Sequence, residues 1–165
     1  MRYTMKQKLF SLRDSFKIFD QNDELAFIAK GGFFSIRKGL RLMLPNETEV
    51  ARIKQKLIAW RPTFYITLAT GERCKIKKSF WPLFTSRFVL TTPKAEVVVD
   101  GDLLSHEYQF VAAGEQIAYV SKRWFSLGDS YGIDIKYEED IPLMLAAVAT
   151  IDLVNHNDNG AFDSD

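Results

Sequence analysis

Lys8-Leu-Phe-Ser-Leu-Arg-Asp-Ser-Phe-Lys-Ile18 returns as Arg123-Trp-Phe-Ser-Leu-Gly-Asp-Ser-Tyr-Gly-Ile133, identical or similar at most positions and displaced by 115 residues. A third copy, Gly32-Phe-Phe-Ser-Ile-Arg-Lys-Gly-Leu-Arg-Leu42, starts 24 residues after the first, and Lys54-Gln-Lys-Leu57 repeats Lys6-Gln-Lys-Leu9 at a distance of 48. Weaker copies stand at Lys78-Ser-Phe-Trp-Pro-Leu83 and Gly101-Asp-Leu-Leu-Ser-His106. Anchored on Lys6, Lys30, Lys54, Lys77, Asp100 and Ser121, the six units follow one another in steps of 24, 24, 23, 23 and 21 residues. Self-similarity at such a period marks one supersecondary unit used repeatedly.

Each unit reads as two strands. The first half alternates by side: in Ala51-Arg-Ile-Lys-Gln-Lys-Leu57 and Arg73-Cys-Lys-Ile-Lys77 the basic residues fall on every second position, the period of a half-buried strand. The second half is a short β-branched or aromatic run, as in Phe16-Lys-Ile-Phe19, Thr63-Phe-Tyr-Ile-Thr67, Arg87-Phe-Val-Leu-Thr91 and Tyr131-Gly-Ile-Asp-Ile135. Within a unit, Ser-Leu-x-Asp-Ser is expected to turn the chain, because Ser and Asp side chains bond nearby backbone amides. Between units stand Gln21-Asn22-Asp23, Pro45-Asn46, Thr70-Gly71, Thr92-Pro93 and Ala113-Gly114. Turn signals at intervals of about 12 residues are the rhythm of an all-β barrel or sandwich.

After the sixth unit comes a segment of a different kind. From Leu143 to Val154 every residue is apolar except Thr150 and Asp152. A helix hydrophobic on all sides is buried on all sides or lies in a membrane. Twelve residues reach only about 18 Å, short of the roughly 20 residues that span a bilayer, which favours burial. Pro142 suits a first turn, Asp140 or a neighbour can cap it, and Glu138 and Glu139 suit the positive end of the helix dipole. The two findings fit together. Eight strands close around side chains alone and sixteen leave a channel, so about twelve leave a bore that a helix about 10 Å across can plug. The expected fold is one mainly-β domain over residues 1–165: a closed antiparallel barrel of about twelve strands over residues 2–137, a central helix over about 141–155 and a flexible acidic tail at 157–165. A barrel spanning an outer membrane is disfavoured, because Arg52, Lys54, Lys56, Arg73, Lys75 and Lys77 would face lipid at a few kcal/mol each near the midplane.

At 165 residues, 47% hydrophobic and 13% aromatic, the chain has enough apolar surface for such a core. The lone Cys74 forms no internal disulfide and supports no multi-cysteine metal site; a small buried hydrophobe is its expected role. The first residues lack the apolar core of a secretory signal, so a cytoplasmic location is expected, peripheral at the membrane if a lipid is bound. Net charge is +1 but unevenly distributed: residues 1–94 hold 19 Lys and Arg against 7 Asp and Glu, and residues 95–165 hold 3 against 14. Such asymmetry points to a polyanionic or membrane partner for the basic half, or to a solvated polar surface.

The Lys-Gln-Lys-Leu-Phe-Ser-Leu start at residue 6, His106-Glu-Tyr108, Ser121-Lys-Arg-Trp-Phe-Ser126 and the apolar C-terminal segment with Ile151-Asp152 resemble the LURP-one-related family, in particular its YxjI-like branch within the tubby C-terminal-like superfamily. The resemblance covers essentially the whole chain. It implies a twelve-stranded barrel around a central helix, and it allows a lipid-facing function, since tubby domains bind phosphoinositides and scramblases act on phospholipids. No residue of this chain matches tubby's basic site position by position, and no acidic calcium segment of the scramblase kind is present, so the resemblance carries over no site residue.

No enzyme signature is legible. His106 and His156 lie in no metal-ligand spacing. Asp100-Gly101-Asp102 with His106 and Glu107 has oxygens for a hard cation but occupies the repeat's ordinary turn. Ser-x-x-Asp recurs in different units, as a turn-former does. Gly31-Gly32 matches neither the P-loop nor the dinucleotide pattern. No catalytic residue, metal site or cofactor is expected. The functional content lies in Arg52, Lys54, Lys56, Arg73, Lys75 and Lys77, on strands separated by one other. At about 1 kcal/mol each near an anionic membrane, six such residues can hold the barrel to phospholipid headgroups. The expected function is therefore non-enzymatic binding of anionic headgroups, with a protein-interaction scaffold as the alternative. Nucleic acid is disfavoured, since no reading helix and no interleaved stacking aromatics are seen. Oligomeric state is left open.

Overall fold

The computed structural model describes residues 1–7, 15–34, 37–79, 87–122 and 130–160. Twelve strands close on themselves: β1 (Arg2–Gln7), β2 (Ser15–Phe19), β3 (Leu25–Phe34), β4 (Arg37–Met43), β5 (Glu49–Gln55), β6 (Thr63–Leu68), β7 (Arg73–Ser79), β8 (Arg87–Thr91), β9 (Glu96–Asp102), β10 (Glu107–Ala112), β11 (Glu115–Ser121) and β12 (Ser130–Ile135). Every pair is antiparallel and adjacent in sequence, and β1 closes the ring on β12 with Tyr3 opposite Ile133 and Met5 opposite Tyr131. Every strand has a hydrogen-bonded neighbour on both sides, so the sheet has no edge strand, which removes the usual route to strand-swapped aggregation.

The repeat has a simple structural meaning. All six anchors, Lys6, Lys30, Lys54, Lys77, Asp100 and Ser121, lie on odd-numbered strands, and the even-numbered strand that follows completes each hairpin. The Ser-Leu-x-Asp-Ser turns at 11–15 and 126–130 lie almost wholly outside the described residues. The inter-unit turns stand where expected: Asp20 Oδ1 accepts from the amides of Asn22 and Glu24, and Asn46 Oδ1 accepts from that of Thr48. One strand boundary differs. Leu57 reads as an inward position, yet β5 ends at Gln55, and Leu57 lies in the connection to β6, 52% exposed. Pairing resumes only at Thr63, after Pro62, which has no N–H to give to a ladder; the Lys56 amide bonds Thr63 O and closes the loop.

Alternation sorts the strand residues by face. Phe16, Ile18, Leu40, Leu42, Ile53, Phe64, Ile66, Ile76, Phe88, Leu90, Val99 and Phe110 point inward and are at most 2% exposed. They surround α1 (Ile141–Gly160), which a 3₁₀ turn (Glu138–Asp140) leads into from β12. The 3₁₀ turn starts at Tyr137 without a side-chain cap, and Asp140 directly precedes α1, where Pro142 is in the first turn; burial and Glu139 shift the Asp140 carboxyl upward. Met144 to Ile151 are 0–1% exposed around the full helix circumference. Thr150 donates to Ala146 O at 2.7 Å, satisfying its hydroxyl within the helix. The helix continues to Gly160, five residues past the expected end, so residues 157–160 of the expected flexible tail are helical; residues 161–165 lie outside the described ones.

Because α1 is enclosed, a charge on it has nowhere to go. Val148→Asp, at a side chain with no exposure, should lose several kcal/mol against a total of about 5–15 and fail to fold. Circular dichroism with a thermal melt checks this, and an unchanged Tm would mean the helix is not in the bore.

Candidate basic site on the outer wall

The outward positions of β5, β6 and β7 are set by the same alternation that fills the core. Across β6, the register places Arg52, Thr67 and Arg73 in one lateral row and Lys54, Tyr65 and Lys75 in the next; Lys77 lies opposite Thr63, beside the loop that begins at Lys56. All six basic residues are exposed. Strands spaced about 4.8 Å apart put the two basic columns about 10 Å from each other. On the other side the ribbon continues, with Lys30 opposite Arg41 and Arg41 opposite Arg52. The structure thus brings the sequence candidates together and extends them onto β3 and β4, a cross-strand register that alternation within one strand does not reveal.

Pairing is uneven around the barrel. Arg52 is held by Glu49, with Nε and an Nη donating at 2.8 and 2.9 Å. Lys54, Lys56, Arg73, Lys75 and Lys77 have no carboxylate partner among the described residues. The acidic sector is different: Asp134 receives Met1 and Arg2, Asp100 receives Arg87, and Glu115 receives Lys136 and the Tyr137 hydroxyl. Glu107 accepts from Tyr119, Ser121 and the Lys122 amide. Two like charges 10 Å apart repel by about 0.4 kcal/mol in water, so the basic wall is a modest standing cost. A groove of about 1160 Å³ runs along this wall, and Lys54, Lys75, Tyr65, Leu57 and Ile58 are among its lining residues.

A second polar group is absent from any single-segment motif. His106 Nε2 lies 2.7 Å from Asp152 Oδ1 on α1, and the Tyr131 hydroxyl donates to Asp152 Oδ2 at 2.8 Å. The His106 ring stacks on Tyr131 with centroids 4.5 Å apart. Asn155 adds a bond to Leu103 O at 3.3 Å, so the turn between β9 and β10 grips the last turns of α1. That turn is tightly built. His106 has φ 53°, and Gly101 has φ 130° with its backbone so close to β10 that a Cβ would stand 2.5 Å from Glu107 O. Asp102 Oδ1 accepts from the Leu104 and Ser105 amides and Oδ2 from the Ser105 hydroxyl, bonds that hold its carboxyl below the usual range. The oxygens of Asp102 are thus used in the turn, and no group of three metal-ligating side chains occurs among the described residues. Cys74 is buried, and that burial, followed by its contact to Glu72, pushes the thiol up to about 12, as suits a packing residue. His156 carries no described side chain.

Burial of Tyr108 and Tyr131 raises both phenols well above 10.0, with Asp152 adding to each. A raised folded value means that below pH 10 the stabilisation is fully present, and that above it the unfolded chain loses protons the native state keeps. Stability should therefore fall as pH climbs past about 10. Denaturant titrations across the alkaline range should show the decline, and Tyr131→Phe should make it shallower.

Comparison with known proteins identifies the family. The family model described as LURP-one-related matches residues 1–152. The protein named "Uncharacterized protein YxjI" of Bacillus subtilis (strain 168) is 34% identical over 154 residues, covering 93% of this chain and 93% of that protein. With the family model matched from β1 to the middle of α1, the chain belongs to the LURP-one-related family.

Proposed function

We propose that the chain is a non-enzymatic module that binds anionic phospholipid headgroups through the outer wall of β5 to β7. The observation that carries this reading is that Lys54, Lys56, Arg73, Lys75 and Lys77, gathered on one exposed wall, are left without carboxylate partners among the described residues. Exposed cations within about a Debye length of one another act together on a polyanionic surface. The barrel would sit at the membrane surface, because its outer wall carries exposed Lys and Arg side chains and α1 is enclosed.

Sedimentation with phosphatidylcholine vesicles, with and without phosphatidylserine, tests the reading. Binding should need the anionic lipid and weaken with salt. Changing Lys54, Lys56, Lys75 and Lys77 together to Glu, all exposed and so compatible with the fold, should weaken it by more than about a hundredfold. Equal, negligible pelleting on both vesicles, or unchanged binding by the variant, contradicts it.

A further inference from the structure

Among the described residues, the connections at the two ends of the barrel differ. Turns leading from even- to odd-numbered strands carry polar tips such as Gln21-Asn22-Asp23 and Asn46-Glu47. At the opposite end the connection from β5 to β6 carries Leu57 at 52%, Ile58 at 88% and Trp60 at 104% relative exposure. Leu104, 68% exposed, lies in the turn between β9 and β10 at that same end. Three large apolar side chains within four residues are not scattered surface hydrophobes; they form the tip of a loop whose two stems enter the basic wall.

We propose that Leu57, Ile58 and Trp60 form a wedge that enters the interfacial layer of an anionic bilayer, with Lys54, Lys56, Lys75 and Lys77 behind it at headgroup depth. This deepens the headgroup-binding reading and rests on it. Charge complementarity selects a lipid surface as the occupant. Lys56 precedes Leu57 directly, the Lys56 amide is tied to Thr63 O, and Thr63 stands opposite Lys77, so the loop base is rigidly joined to the unpaired cations. Leu57 and Ile58 line the same groove as Lys54, Tyr65 and Lys75. A protein partner with a matching apolar pocket would need to be acidic around it; an anionic bilayer has that arrangement everywhere on its surface. Trp suits the position chemically, since its ring is apolar and its indole N–H keeps a hydrogen bond at headgroup level. The wedge also sets an orientation: the barrel end bearing this loop faces the membrane, with the polar turns away.

The two contributions separate by salt and by depth. Headgroup attraction is screened as ionic strength rises, whereas burial of apolar side chains is not. The test uses the full chain with phosphatidylcholine vesicles containing phosphatidylserine, some carrying a brominated acyl chain. Tryptophan emission should be quenched on binding, and Trp60→Phe should remove most of the quench, which assigns it to this one of the chain's three tryptophans. Leu57→Ser, Ile58→Ser and Trp60→Ser together should lower the partition coefficient about tenfold or more and abolish the part of binding that survives high salt. If the protein binds anionic vesicles with no Trp60-dependent quench and the triple variant binds equally well, the wedge is overturned while headgroup binding stands. If the protein binds no anionic vesicle, both fall. A concentration-dependent dimer without vesicles, lost in the triple variant, would seat the loop on a second copy and also overturn the wedge.

Discussion

Twelve strands cannot meet across their own interior, and the fold depends on what fills the space. Inward side chains of a smaller barrel reach one another; here they reach a helix instead. That requirement explains why α1 is apolar all round rather than on one stripe, and why its small residues Ala146, Ala147 and Ala149 stand among the larger inward residues of the wall. It also explains the one expensive residue on the helix. An apolar cylinder in an apolar bore is free to slide and rotate. Asp152 is bonded on one side to His106 and on the other to Tyr131, and Asn155 to Leu103 O, so the helix is fixed in depth and rotation near one rim. Buried polar groups are best justified by specifying one arrangement among several of similar packing energy.

Filling the bore with hydrocarbon leaves the outside and the rims for function. Nearest-neighbour topology then turns a one-dimensional feature of the chain into a spatial one. Because going round the barrel follows the sequence, a basic first half and an acidic second half become two sectors rather than an even mixture. Part of the acidic sector is taken up in bonds across the closing strands, among them the Arg2–Asp134 pair across the β1–β12 seam. Lys54, Lys56, Arg73, Lys75 and Lys77 are not so used among the described residues, and the loop at the edge of their wall exposes Leu57, Ile58 and Trp60.

Most of the fold was legible in the sequence because it was written six times. Alternation in Arg73-Cys-Lys-Ile-Lys77 names both faces of β7, and the run Arg87–Thr91 coincides with β8 residue for residue. Cross-strand facts were less legible. That Arg41 lies opposite Arg52 depends on hairpin register, and that Asp152 meets His106 depends on how deep α1 sits, a contact between residues 46 apart. Asp152 stood out as a charge in an apolar helix and His106 as a histidine in a turn, but neither implies the other. Leu57 was misplaced because the period of two runs through Lys56 and Leu57 without a break. Alternation cannot say where a strand stops; the partner strand, which starts only after Pro62, decides that.

The central claim is that barrel and helix form one cooperative unit, neither persisting without the other. Native-state hydrogen exchange tests it directly. The amides of Ala146 to Ile151 in α1 should exchange only through global unfolding, with the same opening free energy as Ile53 and Ile66 in the surrounding strands. Helix amides that exchange through a lower-energy opening while β5 and β6 stay protected would show that the barrel stands empty, and would contradict the account.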